Sequence, residues 1–141
     1  MSQSLPSPLP PVVAAAIQQR FDDSPISTQV FNLDGWTVYV NQAWEQLFHA
    51  PREVASLFNI FEDRQLNASG IMPQIRTAFT GLVVHAEPVP FEARLSAVRG
   101  QQPRRWIAAV FSPIRDESGA LVGVVVQHSD VSADYGERDA G

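Results

Sequence analysis

A chain of 141 residues that is 45% hydrophobic, carries a formal net charge of −5 and contains neither cysteine nor lysine excludes much chemistry at the outset. Without Cys there is no disulfide, zinc knuckle, redox pair or thiolate nucleophile, and without Lys no P-loop, Schiff base or kinase-type phosphate clamp within these residues. The acidic balance argues against general affinity for nucleic acid or anionic membranes, and the composition describes one globular domain that binds rather than makes bonds.

At this length folding buries roughly two-thirds of the surface that the unfolded chain exposes, so no metal staple is needed. No apolar run approaches the roughly 18 residues of a membrane span. The N-terminus has no secretory pattern, and a soluble cytoplasmic protein without membrane insertion is expected.

Residues 1–11 hold four prolines and read as a disordered lead-in. Val12 to Phe21 predicts an amphipathic cap helix, with Val13, Ile17 and Phe21 on one stripe at i, i+4, i+8, within an N-terminal unit spanning 12–23. Ser27 to Leu33 and Trp36 to Val40 predict a hairpin closed by Asp34-Gly35 as a two-residue type I′ turn, with Phe31, Leu33, Val38 and Val40 facing the core. Asn41 stands where a strand ends and Gln42 to Phe48 begins a helix, the position of an N-cap. A short helix from Pro51 to Leu57, a loop over Glu62 to Ala68 and a helix from Met72 to Thr80 stopped by Gly81 follow.

Three strands complete the chain: Val83 to Val98, placed at an edge or bent by Pro88 and Pro90; Arg105 to Ile114; and Leu121 to Asp130. Turns are expected around Gly100 and over Asp116 to Gly119. This is an α+β domain, a five-stranded antiparallel sheet with short helices on one face. Strands such as LVGVVV are apolar on both alternating faces, so the second face needs cover. The Val13/Ile17/Phe21 stripe supplies it, from the same chain or from a second copy in a homodimer.

The order of Asp34-Gly35, Tyr39-Val40-Asn41, Trp106, Pro113-Ile114-Arg115-Asp116 with Gly119, Gly123 and Asp130-Val131-Ser132 resembles the PAS (sensory box) family over residues 24–132. The resemblance implies a PAS-like sheet around a central pocket, serving as an input module in bacterial signal transduction. The domain itself is then no enzyme, and its C-terminal effector is a histidine kinase or a diguanylate cyclase. In that family the triplet Asp130-Val131-Ser132 would couple the domain to the effector, and an N-terminal helix often mediates dimers. Residues 133–141 read as linker or tail, too short for an effector, so a fragment or a stand-alone module is expected.

Departures from the family narrow the cofactors. Covalent flavin and cinnamoyl chromophores need a cysteine, and Met72 to Thr80 lacks the histidine that would hold haem; a non-covalent small organic ligand remains. Phe31, Val40, Trp44, Leu47, Phe48, Ile75, Phe79, Phe91 and Trp106 are the candidate pocket-lining residues, with simple core filling as the alternative for each. His49, His85 and His128 fit no metal spacing, and His128 reads as an ordinary polar position near a strand end. No metal site is expected. Arg94, Arg99, Arg104 and Arg105 form the one concentrated cationic feature, a solvated loop unless one of them pairs with Asp130 or the cluster captures an acidic ligand or partner. The rival readings are a ligand-free structural dimerisation domain and a small α+β-barrel enzyme.

Overall fold

In a computed structural model of the protein, residues 9–91 and 105–134 are described, Phe91 by its backbone alone. Helix α1 (Pro11–Phe21) leads into β1 (Ser27–Asn32) and β2 (Thr37–Val40), followed by α2 (Gln42–Phe48) and two 3₁₀ turns, η1 (Arg52–Leu57) and η2 (Ile60–Glu62). Then come α3 (Arg64–Ser69), α4 (Met72–Ala78), β3 (Val84–Phe91), β4 (Arg105–Arg115) and β5 (Leu121–Asp130). The five strands form one antiparallel sheet in the order β2-β1-β5-β4-β3. The expected α+β architecture is therefore present, with β3 and its two prolines at the edge.

Sequence and structure part company at the first hairpin. A type I′ turn demands positive φ at both central positions, but here Gly35 alone has it (φ 94°). The Asn32 side chain organises a wider loop instead, Oδ1 accepting from Asp34 N and Trp36 N at 3.0 Å each, while Gly35 N donates to the Asn32 carbonyl. Gly35 is required twice over, because a Cβ there would lie 2.5 Å from Phe61 Cδ2. The pairing shifts between Val30 and Phe31, which places Thr37 opposite Phe31 and Val40 opposite Gln29. That bulge sends Val38 to the outer face, against the expectation that it would face inward with Val40. Leu33, also expected inside, is exposed.

The stretch expected as loop over Glu62 to Ala68 holds all of α3 but its last residue, Ser69. Asp63 caps it, Oδ1 accepting from Leu66 N at 2.8 Å, and Gly70 ends it at φ 81°. Cap and stop were both readable, but Asn, Ser and a six-residue length hid the helix. The Pro51 segment is a 3₁₀ turn, and α4 ends at Ala78 with Phe79 and Thr80 in the following turn. Of the strand expected over Val83 to Val98, Val84–Phe91 is formed; the remainder, the Gly100 turn, Arg94, Arg99 and Arg104 lie outside the described residues.

Both faces of the sheet are apolar, and each is covered differently. Inside, Phe31, Phe111, Val124 and Val126 pack against Ile71, Ile75 and Ala78 of the helical layer. Outside, Ile17 of α1 is buried with Val30 and Leu9, and Val13 and Phe21 pack beside them. The stripe thus covers its own chain's sheet, meeting part of the need from which a second copy was inferred. Leu9, expected within the disordered lead-in, is buried, and Gly123 makes room for it: a Cβ at 123 would sit 3.2 Å from Leu9 Cδ2 and 2.6 Å from the Phe31 carbonyl. Among the described residues, no helix is long and apolar enough to cross a membrane.

Candidate ligand cavity

Asn41 fixes the geometry from which the cavity follows. It caps α2, Oδ1 accepting from Trp44 N at 3.0 Å, and the same oxygen accepts from Thr28 N at 3.0 Å. Its amide nitrogen donates to the carbonyls of Phe21 and Ile26, 2.9 Å each. One fully buried side chain therefore joins the end of α1, the start of β1 and the start of α2. Trp44 is thereby aimed at the sheet, where its indole Nε1 donates to Gln29 Oε1 at 3.2 Å. Gln29 Nε2 donates to Thr37 Oγ1, whose hydroxyl donates to the Phe58 carbonyl.

Between this layer and the sheet lies a cavity of about 420 Å³. That volume falls in the range of small-molecule sites, roughly 300–1,000 Å³. Four candidates from the sequence, Phe31, Trp44, Phe48 and Ile75, line it. Val40 instead packs under Trp44 with Ala50 and Ala55, and Phe79 stacks behind the wall against Phe31 and Phe61. Trp106 neighbours the cavity-lining Ile107 and so projects from the opposite face of β4, while Leu47 contributes its carbonyl, which accepts from Arg105. The Phe91 side chain lies outside the described residues.

Sequence reasoning missed much of the wall: Phe58, Ile71, Ile107, Phe111, Val126 and, above all, His128. Alternation along β5 offered the signal, since His128 shares a parity with buried Val124 and Val126. His128 Nδ1 lies 3.3 Å from Ser27 Oγ, and its ring meets Phe48 edge-on at 5.0 Å between centroids. Burial lowers its pKa to about 4, against a smaller upward pull from the Ser27 backbone. His128 is half-buried and lines the cavity. Exposed Leu57, Glu62, Arg64 and Glu87 form the rim, so charge stays near the mouth, and the deeper wall is mainly aromatic and aliphatic with the uncharged polar groups Gln29, Asn59 and His128.

The chain leaves the sheet through a tied junction. Asp130 Oδ1 accepts from Ser132 N at 2.9 Å, Ser132 Oγ accepts from Trp106 N at 2.9 Å, and Val131 N donates to the Trp106 carbonyl at 2.8 Å. Burial pushes the Asp130 carboxyl up, but the Ser132 hydrogen bonds and the Arg105 charge outweigh it and hold the pKa below its ordinary value. Arg105 Nη1 stands 3.8 Å from Asp130 Oδ2 and also donates to the Leu47 carbonyl at the end of α2. The arginine thus touches both the cavity helix and the exit. Ser132, Ala133 and Asp134 begin a helical turn; 135–141 lie outside the described residues.

An antiparallel sheet packed against short helices, with a cavity between the two layers, defines this α+β domain. The family description of the PAS domain matches residues 26–133, and the chain belongs to that family. Its fold is similar to that of an RNA-binding Light-Oxygen-Voltage receptor, with 22% identity, a TM-score of 0.69 and 93% of this chain covered. The match spans 37% of that receptor's length. The Light-Oxygen-Voltage domain of the Erythrobacter litoralis EL346 blue-light activated histidine kinase matches at 18% identity and TM-score 0.60, covering 77% of this chain and 98% of that one. The N-terminal domain of a Marinobacter aquaeolei diguanylate cyclase with PAS/PAC sensor matches at 15% identity and TM-score 0.59, covering 78% and 98%. A comparison with curated proteins found no match.

Proposed function

We propose that this PAS domain is a cytoplasmic sensory module of a bacterial signalling protein that binds a small organic molecule non-covalently, without catalysing a reaction itself. The cavity of about 420 Å³ with aromatic walls is the observation that carries this reading. Occupancy would reposition α2, and Arg105 would pass the change to Asp130 and the C-terminal effector, a histidine kinase or diguanylate cyclase as in the similar kinase and cyclase domains. Homodimerisation belongs to the same proposal. Ala108 and Val110 of β4 share the outer face with α1, are half-buried, and lie outside the cluster that α1 covers.

Native mass spectrometry of freshly purified protein reads ligand and stoichiometry together. We expect a dimer carrying a small-molecule adduct. Ala109→Phe, which fills the cavity from β4, should lose the adduct while keeping its far-UV circular dichroism. Bare protein across several preparations would instead support a ligand-free dimerisation domain, and a monomer would remove the dimer.

The exit has its own test. Asp130 is exposed, so Asp130→Ala should cost less than about 1 kcal/mol of stability. In the intact parent protein it should nonetheless uncouple stimulus from output. Normal output from the variant would refute the coupling role.

A further inference from the structure

The polar side chains that border the cavity divide by what already occupies them, and Gln65 is among those with a partner. Both ends of the Gln29 amide are bonded, to Thr37 and Trp44. Asn59 Nδ2 donates to the Asp34 carbonyl and its Oδ1 accepts from Phe61 N. Asp63 caps α3, and Glu62, Arg64 and Glu87 stand in solvent at the rim.

His128 is different. One ring nitrogen, Nδ1, faces the Ser27 hydroxyl at 3.3 Å, a pair in which either atom can donate. Placing the hydrogen on Nδ1 leaves Nε2, on the other side of the ring, as a lone-pair acceptor. The Phe48 ring, at 85° to the imidazole, holds it in place. Burial keeps the ring uncharged at neutral pH, so the lone pair is available there.

We propose that His128 carries its hydrogen on Nδ1, so that Nε2 is the anchor of the cavity and selects an uncharged ligand of two or three fused rings that presents an N–H or O–H donor. Aromatic walls from Phe31, Trp44, Phe48, Phe58 and Phe111 favour flat rings, and the restriction of charge to the rim disfavours an ion at depth. The inference rests on the cavity being a ligand site, as proposed above.

Carbazole and fluorene test it, being nearly isosteric three-ring molecules that differ by an N–H in place of a methylene. Equilibrium dialysis against the whole protein should show carbazole binding about tenfold more tightly, the worth of one hydrogen bond to a buried acceptor. His128→Phe should abolish that preference while fluorene affinity stays within about twofold. His128→Leu serves the same purpose if the Phe variant does not fold, as judged by thermal melting. Equal binding of both probes by the wild type would overturn the His128 assignment and leave the cavity standing as an apolar site. A preference for acridine, which offers an acceptor, would overturn the assigned tautomer and with it the donor rule. Failure of all three probes to bind would overturn the ligand-site reading beneath it.

Discussion

Replacing Asn41 by Ala is expected to cost about 3–5 kcal/mol, enough to endanger folding of a domain of this size. The side chain bonds two backbone N–H groups and two carbonyls, all at 2.9–3.0 Å, and is fully buried. Alanine removes the bond to Thr28 N outright and one of two bonds at Trp44 N and at the Phe21 and Ile26 carbonyls, which keep the Asn41 carbonyl, Ser24 N and Thr28 Oγ1; a buried N–H left unsatisfied carries about 1–3 kcal/mol, and each further bond lost roughly 0.5–1.5 kcal/mol. A lost helix cap alone would cost about 1 kcal/mol, so the size of the effect separates a cap from a junction. Thermal unfolding should show the melting temperature falling by roughly 10–15 °C. Asn41→Asp provides the internal check. It retains the two acceptor contacts to Thr28 and Trp44 but turns a carboxylate oxygen toward the Phe21 and Ile26 carbonyls, so it should remain clearly destabilised near pH 7. A loss below about 1 kcal/mol in the alanine variant would show that the junction is not cooperative.

Mild acid should destabilise the protein through His128. His128 has a pKa of about 4 in the fold against 6.5 in an unfolded chain. Between those values the unfolded state binds the proton and the native state does not, so stability rises with pH through this window and is fully present above about 6.5. As pH falls from 6.5 to 4, about 3 kcal/mol is lost. The groups facing the ring from the packed elements are Ser27 and Phe48, both uncharged, with Glu62, Asp63, Arg64 and Glu87 at the cavity's outer margin. Glu45, Asp116 and Asp130 have lowered pKa values, and their contributions disappear only at more acid pH. Urea unfolding at stepped pH should therefore show a limb above pH 4 that His128→Gln flattens. An unchanged limb in that variant would assign it to other groups.

The two residues behind these predictions were unequally legible. Asn41 was visible as a cap because a polar residue separates a β-branched run from a helical one, and local sequence dictates that geometry. Its bonds to Phe21 and Ile26 were not, since they depend on how the chain returns after α1. His128 was hidden by a symmetry of the sheet. Both parities of β4 and β5 are apolar, so periodicity identified strands correctly while leaving the cavity face unassigned; Trp106 was placed inside and Ile107 overlooked for that reason. Only the landing of α2 and α4 on one face breaks the tie, and that is a tertiary fact. The first hairpin shows the same division. Asp34-Gly35 announced a turn, but the Asn32 side chain and Phe61 packing against Gly35 selected its type. Strand β5 was readable to its ends, Leu121 to Asp130, because turn chemistry bounds it on one side and a polar run on the other.

The edge strand β3 has a consequence for the behaviour of the protein in concentrated solution. Open sheet edges invite a neighbouring molecule to continue the ladder, and indefinite repetition of that event produces fibres. Pro88 and Pro90 have no N–H to offer, and the pairing with β4 shifts between Ala86 and Val89. An incoming strand would meet missing donors and a kink on this side. Growth of the sheet by strand addition is thereby disfavoured along β3.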